Sequence, residues 1–289
     1  MNTISRRQFL GKSALGMGTA LMASRLPFDL SLESNHESVK MPLGFQVWTI
    51  RDKLVKDFPG TLKMMAGLGY QSVEMCSPPG YAVFGFGPLA SMKAKEMLSI
   101  INDAGLSFLS THYGMNELRN NLDERIEFAA ESGQKQMILS TFGLSGKATI
   151  DDWLKAADEL NQIGMKTKKA GIQMGFHNHH MEFEKIDGVL IYDALLKQFD
   201  PEYVKMQFQV AVISIGYKAS DYFTRYPGRF ISAHLADWSP AENKNVVLGK
   251  GIVDWKEFFA TAKKGGVQNI FVEMDPETFE DSAKYIHSL

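Results

Sequence analysis

A single cysteine in 289 residues, Cys76, excludes any intramolecular disulfide, so the fold must be held by packing. A basic field is missing too: 31 Lys and Arg stand against 33 Asp and Glu, for a formal charge of −2. Such a balance offers nothing to a phosphate backbone or an anionic membrane, and nucleic acid is disfavoured as a partner. No stretch approaches the ~20 apolar residues that a membrane-spanning helix needs. No strand-like run leads into a Gly-x-Gly-x-x-Gly turn, which removes the main support for a dinucleotide fold. The one phosphate-loop lookalike, Gly143-Leu-Ser-Gly146-Lys147-Ala148, spaces its glycines too closely and has Ala where a magnesium-holding Ser or Thr belongs, so it reads as plain loop. What is present is 45% hydrophobic side chains, enough for a large core, in a chain whose charge suits a small neutral or weakly polar ligand.

The first residues stand apart. Ser5-Arg6-Arg7-Gln8-Phe9-Leu10 precedes a weakly apolar run, Ser13 to Ala23, and the pattern resembles a twin-arginine export signal. The expectation is a signal over 1–24, a polar linker over 25–41 and the folded part over 42–289. It places the protein in the periplasm, membrane-anchored if the signal stays uncleaved, with no span in the mature chain. The twin-arginine route carries folded proteins, so the resemblance also implies folding before export.

From residue 42 onward, short apolar runs recur about every 25 to 35 residues, the length of a βα unit. The eight runs are Gly44–Trp48, Ser72–Met75, Ser107–His112, Gln136–Ser140, Ile172–His177, Val204–Gln209, Phe230–His234 and Asn269–Glu273. Helical patterns lie between them, such as Asp151–Ala170, where Trp153, Leu154, Ala157, Leu160 and Ile163 recur at three- and four-residue steps. Several helices end at glycine, among them Gly69, Gly105 and Gly171. Eight such repeats favour an α/β fold closed as a single-domain (β/α)8 TIM barrel over an open doubly wound sheet.

In such a barrel the chemistry sits at the C-terminal strand ends, and here those ends are polar. They carry Glu74, His112, His177 with His179, Gln209, His234 and Glu273, and five of the seven histidines fall on this face. Strand alternation points Gln173, Gly175, His177 and His179 inward, with Ile172, Met174 and Phe176 toward the helices. A lone strand-end histidine is more often a hydrogen-bonded structural residue than a ligand, and a lone Glu273 could pair with Lys or Arg. Their coincidence on several strands is what a site predicts. A divalent ion is a partner that His and Glu from separate strands can share. His180 reads as loop.

The stretches "STHYG" (110–114), "GFHNHHMEF" (175–183), "YPGRFISAHLADW" (226–238), "GKGIVDW" (249–255) and "FVEMD" (271–275) resemble, in order, the sugar phosphate isomerase/epimerase family with its xylose isomerase-like barrel. The closer likeness is to the branch with the His-Asn-His-x-x-Glu-Phe pattern. The resemblance implies one divalent ion, Mn, Mg, Co or Zn, held by an acid from strand 5, an Asp from strand 6, a His from strand 7 and a Glu from strand 8. His234 and Glu273 match. On strand 5 the ligand is either His177 or Glu182 folding back from the loop. On strand 6 Gln209 stands where related sequences have Asp, which removes a negative charge and weakens the metal site. The implied chemistry is proton abstraction beside a carbonyl, with Glu273 as base and His112 or His179 as second group. Candidate substrate contacts are Trp48, Glu74, Gln209, Trp238 and Lys250. Trp48, Phe84 and Trp238 could stack on a sugar face or simply pack. The expected activity is isomerisation, epimerisation or elimination on a sugar or keto-sugar. The alternative is an inactive exported barrel that only binds sugar. Barrels of this type often pair, so a homodimer stays open.

Overall fold

The computed structural model describes residues 41–289; the expected export signal and residues 25–40 of the expected linker lie outside the described residues. Eight parallel strands form the barrel: β1 (Leu43–Gln46), β2 (Ser72–Cys76), β3 (Ser107–Gly114), β4 (Gln136–Thr141), β5 (Gln173–His177), β6 (Val204–Gln209), β7 (Phe230–Leu235) and β8 (Asn269–Val272). They close in the order β1-β8-β7-β6-β5-β4-β3-β2, so each strand neighbours those before and after it in sequence. All eight expected runs are strands, with ends shifted by up to two residues. β1 stops at Gln46 and not at Trp48, because the Gln46 carboxamide accepts the Trp48 backbone N–H and turns the chain into a short 3-10 helix, Trp48–Ile50.

The helices form by the amphipathic pattern that the sequence shows. Ile150–Lys169 starts at a capping box in which Thr149 and Asp152 satisfy each other's backbone N–H. Its Trp153, Ala157, Leu160 and Ile163 are buried against the barrel, and it ends before Gly171 at φ 74°, a backbone shape that favours glycine. Between strands and helices the core is densely aromatic: Phe176 of β5 stacks on Phe142, with centroids 4.9 Å apart, and packs on Phe199. Burying one such ring contributes about 1.5–3 kcal/mol.

Inside the barrel, the floor is tight and apolar. A Cβ on Gly44 would meet the Phe271 ring at 2.5 Å, and one on Gly175 would meet Ile138 Cδ1 at 2.5 Å. Both glycines let large neighbours close the bottom. Above this plug the interior turns polar, with Gln46, Glu74, Ser110, His112, His177, Gln207, Ser232 and His234 all buried. Buried polar groups must be paired, so this layer has to be a closed network or a ligand site. Two further hairpins interrupt the βα rhythm, Lys185–Ile186 with Val189–Leu190 and Asp237–Ser239 with Lys244–Val246.

Candidate active site

Three imidazoles meet above the plug. His112 from β3, His177 from β5 and His234 from β7 each offer a ring nitrogen, all within 4.8 Å of one another. The His112 and His234 rings stack at 5.2 Å, and His177 sits 4.5 Å from His234. Two carboxylates flank His234: Nε2 lies 2.5 Å from Glu74 Oε1 and Nδ1 lies 2.9 Å from Glu273 Oε2. A carboxylate only accepts, so both ring nitrogens donate and His234 is an imidazolium. Burial disfavours that charge, but Glu74 and Glu273 outweigh it and push the His234 pKa up to about 9. Burial would likewise raise the Glu74 carboxyl, yet His112 and His234 hold it well below the usual carboxylate range. Glu273 shifts down as well, His234 outweighing the effect of burial. His177 moves the other way: burial, with the His234 imidazolium adding to it, drives its pKa well below 6.5 and keeps the ring neutral.

The carboxylates differ in access. Glu74 is fully buried, whereas the Glu273 side chain is 16% exposed and is the one that a molecule in the mouth can touch. Gln209 Nε2 donates to Glu273 Oε2 at 2.8 Å, and its Oε1 accepts the Ala211 N–H. His179 stands at the rim with its ring 4.8 Å from that of His177, and burial takes its pKa down to about 4. Its Nδ1 is buried without a hydrogen-bond partner.

Of the two strand-5 alternatives, the structure brings His177 to the cluster. Glu182 does fold back, but its Oε2 accepts the His179 backbone N–H at 2.7 Å and its Oε1 has no partner. The carboxylate braces the turn after β5 and is not among the grouped ligand atoms. His180 is exposed loop, as expected, and bonds Ser214.

On the other side of the mouth, Trp48 meets Tyr81 and Phe84 edge-on at 6.0 and 5.9 Å, with the Arg51 guanidinium over its ring at 4.5 Å. Tyr81 reaches across β3 to Ser140 at the end of β4, Oη to Oγ 2.5 Å. Trp238 lies on the hairpin that follows β7, half-buried, and Lys250 is exposed in the next loop. In "GKGIVDW", Gly249 sits at φ 84° against the Tyr285 ring and Gly251 against Asp237. This buried carboxylate accepts from Gly249, Gly251 and Val253 N–H and from Trp255 Nε1 at 2.9 to 3.2 Å. A Cβ on Gly251 would lie 2.1 Å from Asp237 Oδ1.

The sequence reading did not single out Gln207 or Ser110 as site residues. Gln207 lies two residues before Gln209 on β6, so strand alternation alone would have turned it inward. Its amide joins four groups: Oε1 accepts from His112 Nε2 (2.7 Å) and His177 Nδ1 (2.9 Å), and Nε2 donates to Glu74 Oε2 and Ser232 Oγ (both 2.9 Å). Ser110 donates to the same Glu74 oxygen.

Three buried imidazoles with an adjoining carboxylate are a donor set that suits a first-row divalent ion once His234 gives up a proton, and they could then hold one here. A polar, partly accessible cluster at the C-terminal ends of barrel strands, above an apolar plug, is where barrels of this class carry their sites. The chain belongs to the xylose isomerase-like TIM barrel family, whose pattern matches residues 62–289. Among solved structures, it is similar to a sugar phosphate isomerase/epimerase from Parabacteroides distasonis, with 24% identity, a TM-score of 0.73, and 90% of this chain and 97% of that one covered. A second structure of that description from the same organism gives 23% identity and a TM-score of 0.70, covering 86% and 98%. A xylose isomerase-like TIM barrel protein from Mycobacterium smegmatis, in complex with magnesium, gives 13% identity and a TM-score of 0.62, covering 86% and 96%. At these identities the structures establish the shared fold. No curated protein sequence matches this chain significantly.

Proposed function

We propose that the protein is a metal-assisted isomerase, epimerase or lyase that acts on a sugar or keto-sugar by removing a proton next to a carbonyl. The observation that carries this reading is Glu273: an ionised carboxylate, partly open to the mouth and backed by the His234 imidazolium. Glu273 takes the proton from the carbon beside the carbonyl. Returning it to the same carbon from the other face gives epimerisation, placing it on the neighbouring carbon gives isomerisation, and expelling a β-substituent gives elimination. His112 and His179 are the candidates for moving the second proton. An ion held by His177, Glu273 and the His234 ring, which would have to give up one of its two protons to bind, would supply Lewis-acid polarisation of the carbonyl. The twin-arginine-like start supports an exported, periplasmic setting and with it a free sugar, keto-sugar or glycoside over an intracellular phosphorylated one. Among the described residues, no helix is long and apolar enough to cross a membrane.

Incubating a panel of keto-sugars with the enzyme in heavy water tests the reading. Deuterium is expected beside the carbonyl, and Glu273→Gln should slow its entry by about 10²–10⁴-fold, the span a general base contributes. One observation favours a second reading: the Gln209 amide occupies the Glu273 oxygen that also holds His234. A barrel that only binds sugar would show saturable sugar binding by calorimetry with no exchange across the whole panel.

A further inference from the structure

Gln207 lies at the centre of the polar layer, with every hydrogen-bonding position of its amide in use. The direction of that amide is not a free choice. Its Nε2 faces the Glu74 carboxylate at 2.9 Å, and a carboxylate can only accept. Turning the amide over would set two oxygens against each other in a buried site. Glu74 in turn keeps its charge through His234 and His112. Gln207 Oε1 is therefore an acceptor and needs N–H donors. It finds them in His112 Nε2 and His177 Nδ1.

We propose that Gln207 is a positioning residue that fixes the tautomer of His177: held by Glu74, its amide forces the proton onto His177 Nδ1 and leaves Nε2 as the ring's only lone pair. Imidazole free in water prefers the opposite tautomer, with the proton on Nε2. Without Gln207, His177 would carry its proton on Nε2 and its lone pair on Nδ1, so the nitrogen open to a ligand or a proton would change. Such outer partners commonly set the tautomer and orientation of a ligating histidine. The inference rests on the proposed function for its chemical use, but the tautomer is a property of the protein without substrate.

The test is a long-range proton–nitrogen correlation spectrum of protein labelled with 15N-histidine, recorded near pH 7 with and without a chelator, with the His177 signals assigned by their loss in His177→Phe. In the wild type, Nδ1 should give the protonated, pyrrole-type signal and Nε2 the bare, pyridine-type signal. Coordination of an ion through Nε2 would keep the proton on Nδ1, so both samples should agree. In Gln207→Met, which preserves shape but removes the acceptor, the two signal types should interchange. A wild-type His177 protonated on Nε2 overturns the proposal, and so does a folded Gln207→Met with Nδ1 still protonated. The wild-type spectrum decides even if the variant fails to fold. Because no substrate is used, the tautomer can hold while heavy-water exchange fails, or fail while exchange succeeds, and the two readings are tested separately.

Discussion

Gln209 sets the charge balance of the mouth. Its amide donates to Glu273 where the resemblance leads one to expect a second carboxylate. An Asp at this position would place like charges side by side, tolerable only with a cation between them. Gln209→Asp should therefore destabilise the chelator-treated protein by about 1–2 kcal/mol. The same change should raise affinity for Mn2+ or Zn2+ by about tenfold or more, since one more anionic ligand is the main lever on a hard-ion site. Thermal melts with chelator and titration calorimetry with each ion measure both; unchanged affinity would show that Gln209 lies outside the ion's reach. His234 carries a different burden. Its ring stands between Glu74 and Glu273, and His234→Ala takes their shared cation away, leaving Glu74 with His112, Ser110 and Gln207 and Glu273 with Gln209. A loss of about 3–5 kcal/mol in denaturant unfolding is expected, the usual cost of stripping a buried charge of its partner.

Among the elements, the turn after β5 shows what strand alternation can and cannot say. Alternation alone turned His177 inward and Phe176 outward, and the structure agrees: Phe176 packs on Phe142 and His177 on His234. It could not choose between His177 and Glu182 as the strand-5 ligand, because the choice depends on a turn in which Glu182 bends back to the His179 N–H. Gln207 was within reach of the same alternation, two residues before Gln209; what alternation could not supply is its partner, because pairing between β6 and β7 slips between Met206 and Gln207 and such a register shift leaves no mark on the sequence pattern. The two hairpins were invisible because strands of two and three residues have no period to detect. The eight barrel strands were legible because each is a short apolar run closed by turn residues and spaced by a helix. The Glu182 carboxyl yields its own prediction. Burial raises its pKa to about 7, so holding it ionised at pH 8 costs stability that is absent below its ordinary value of 4.5. Glu182→Gln keeps the acceptor for His179 and removes that cost. It should stabilise the protein by about 3 kcal/mol at pH 8 and by nearly nothing at pH 4.5. A variant less stable than wild type at pH 8 would mean that the turn needs the charge.

Taken as a whole, the barrel holds its charges inside, and this sets how its stability responds to pH. His234 has a folded pKa of about 9, above its ordinary 6.5, so its contribution is complete below pH 6.5 and is lost as pH rises through about 9. Glu74 and Glu273 are shifted down, so theirs is complete above about 4.5 and is lost as pH falls. His177 and His179 are held neutral, the latter with a pKa near 4, so folding resists their protonation and stability starts to fall below about 6.5. The limbs meet in a maximum close to neutrality. The alkaline limb is the distinctive one, because few proteins lose stability between pH 7 and 9.5 through a single group. On the order of 3 kcal/mol is at stake there for a shift of this size. Unfolding midpoints measured from pH 5 to 10 in chelator should fall for the wild type across that alkaline range and stay level for His234→Gln. If both proteins trace the same alkaline limb, the imidazolium between the two carboxylates is not what holds the centre of the barrel together.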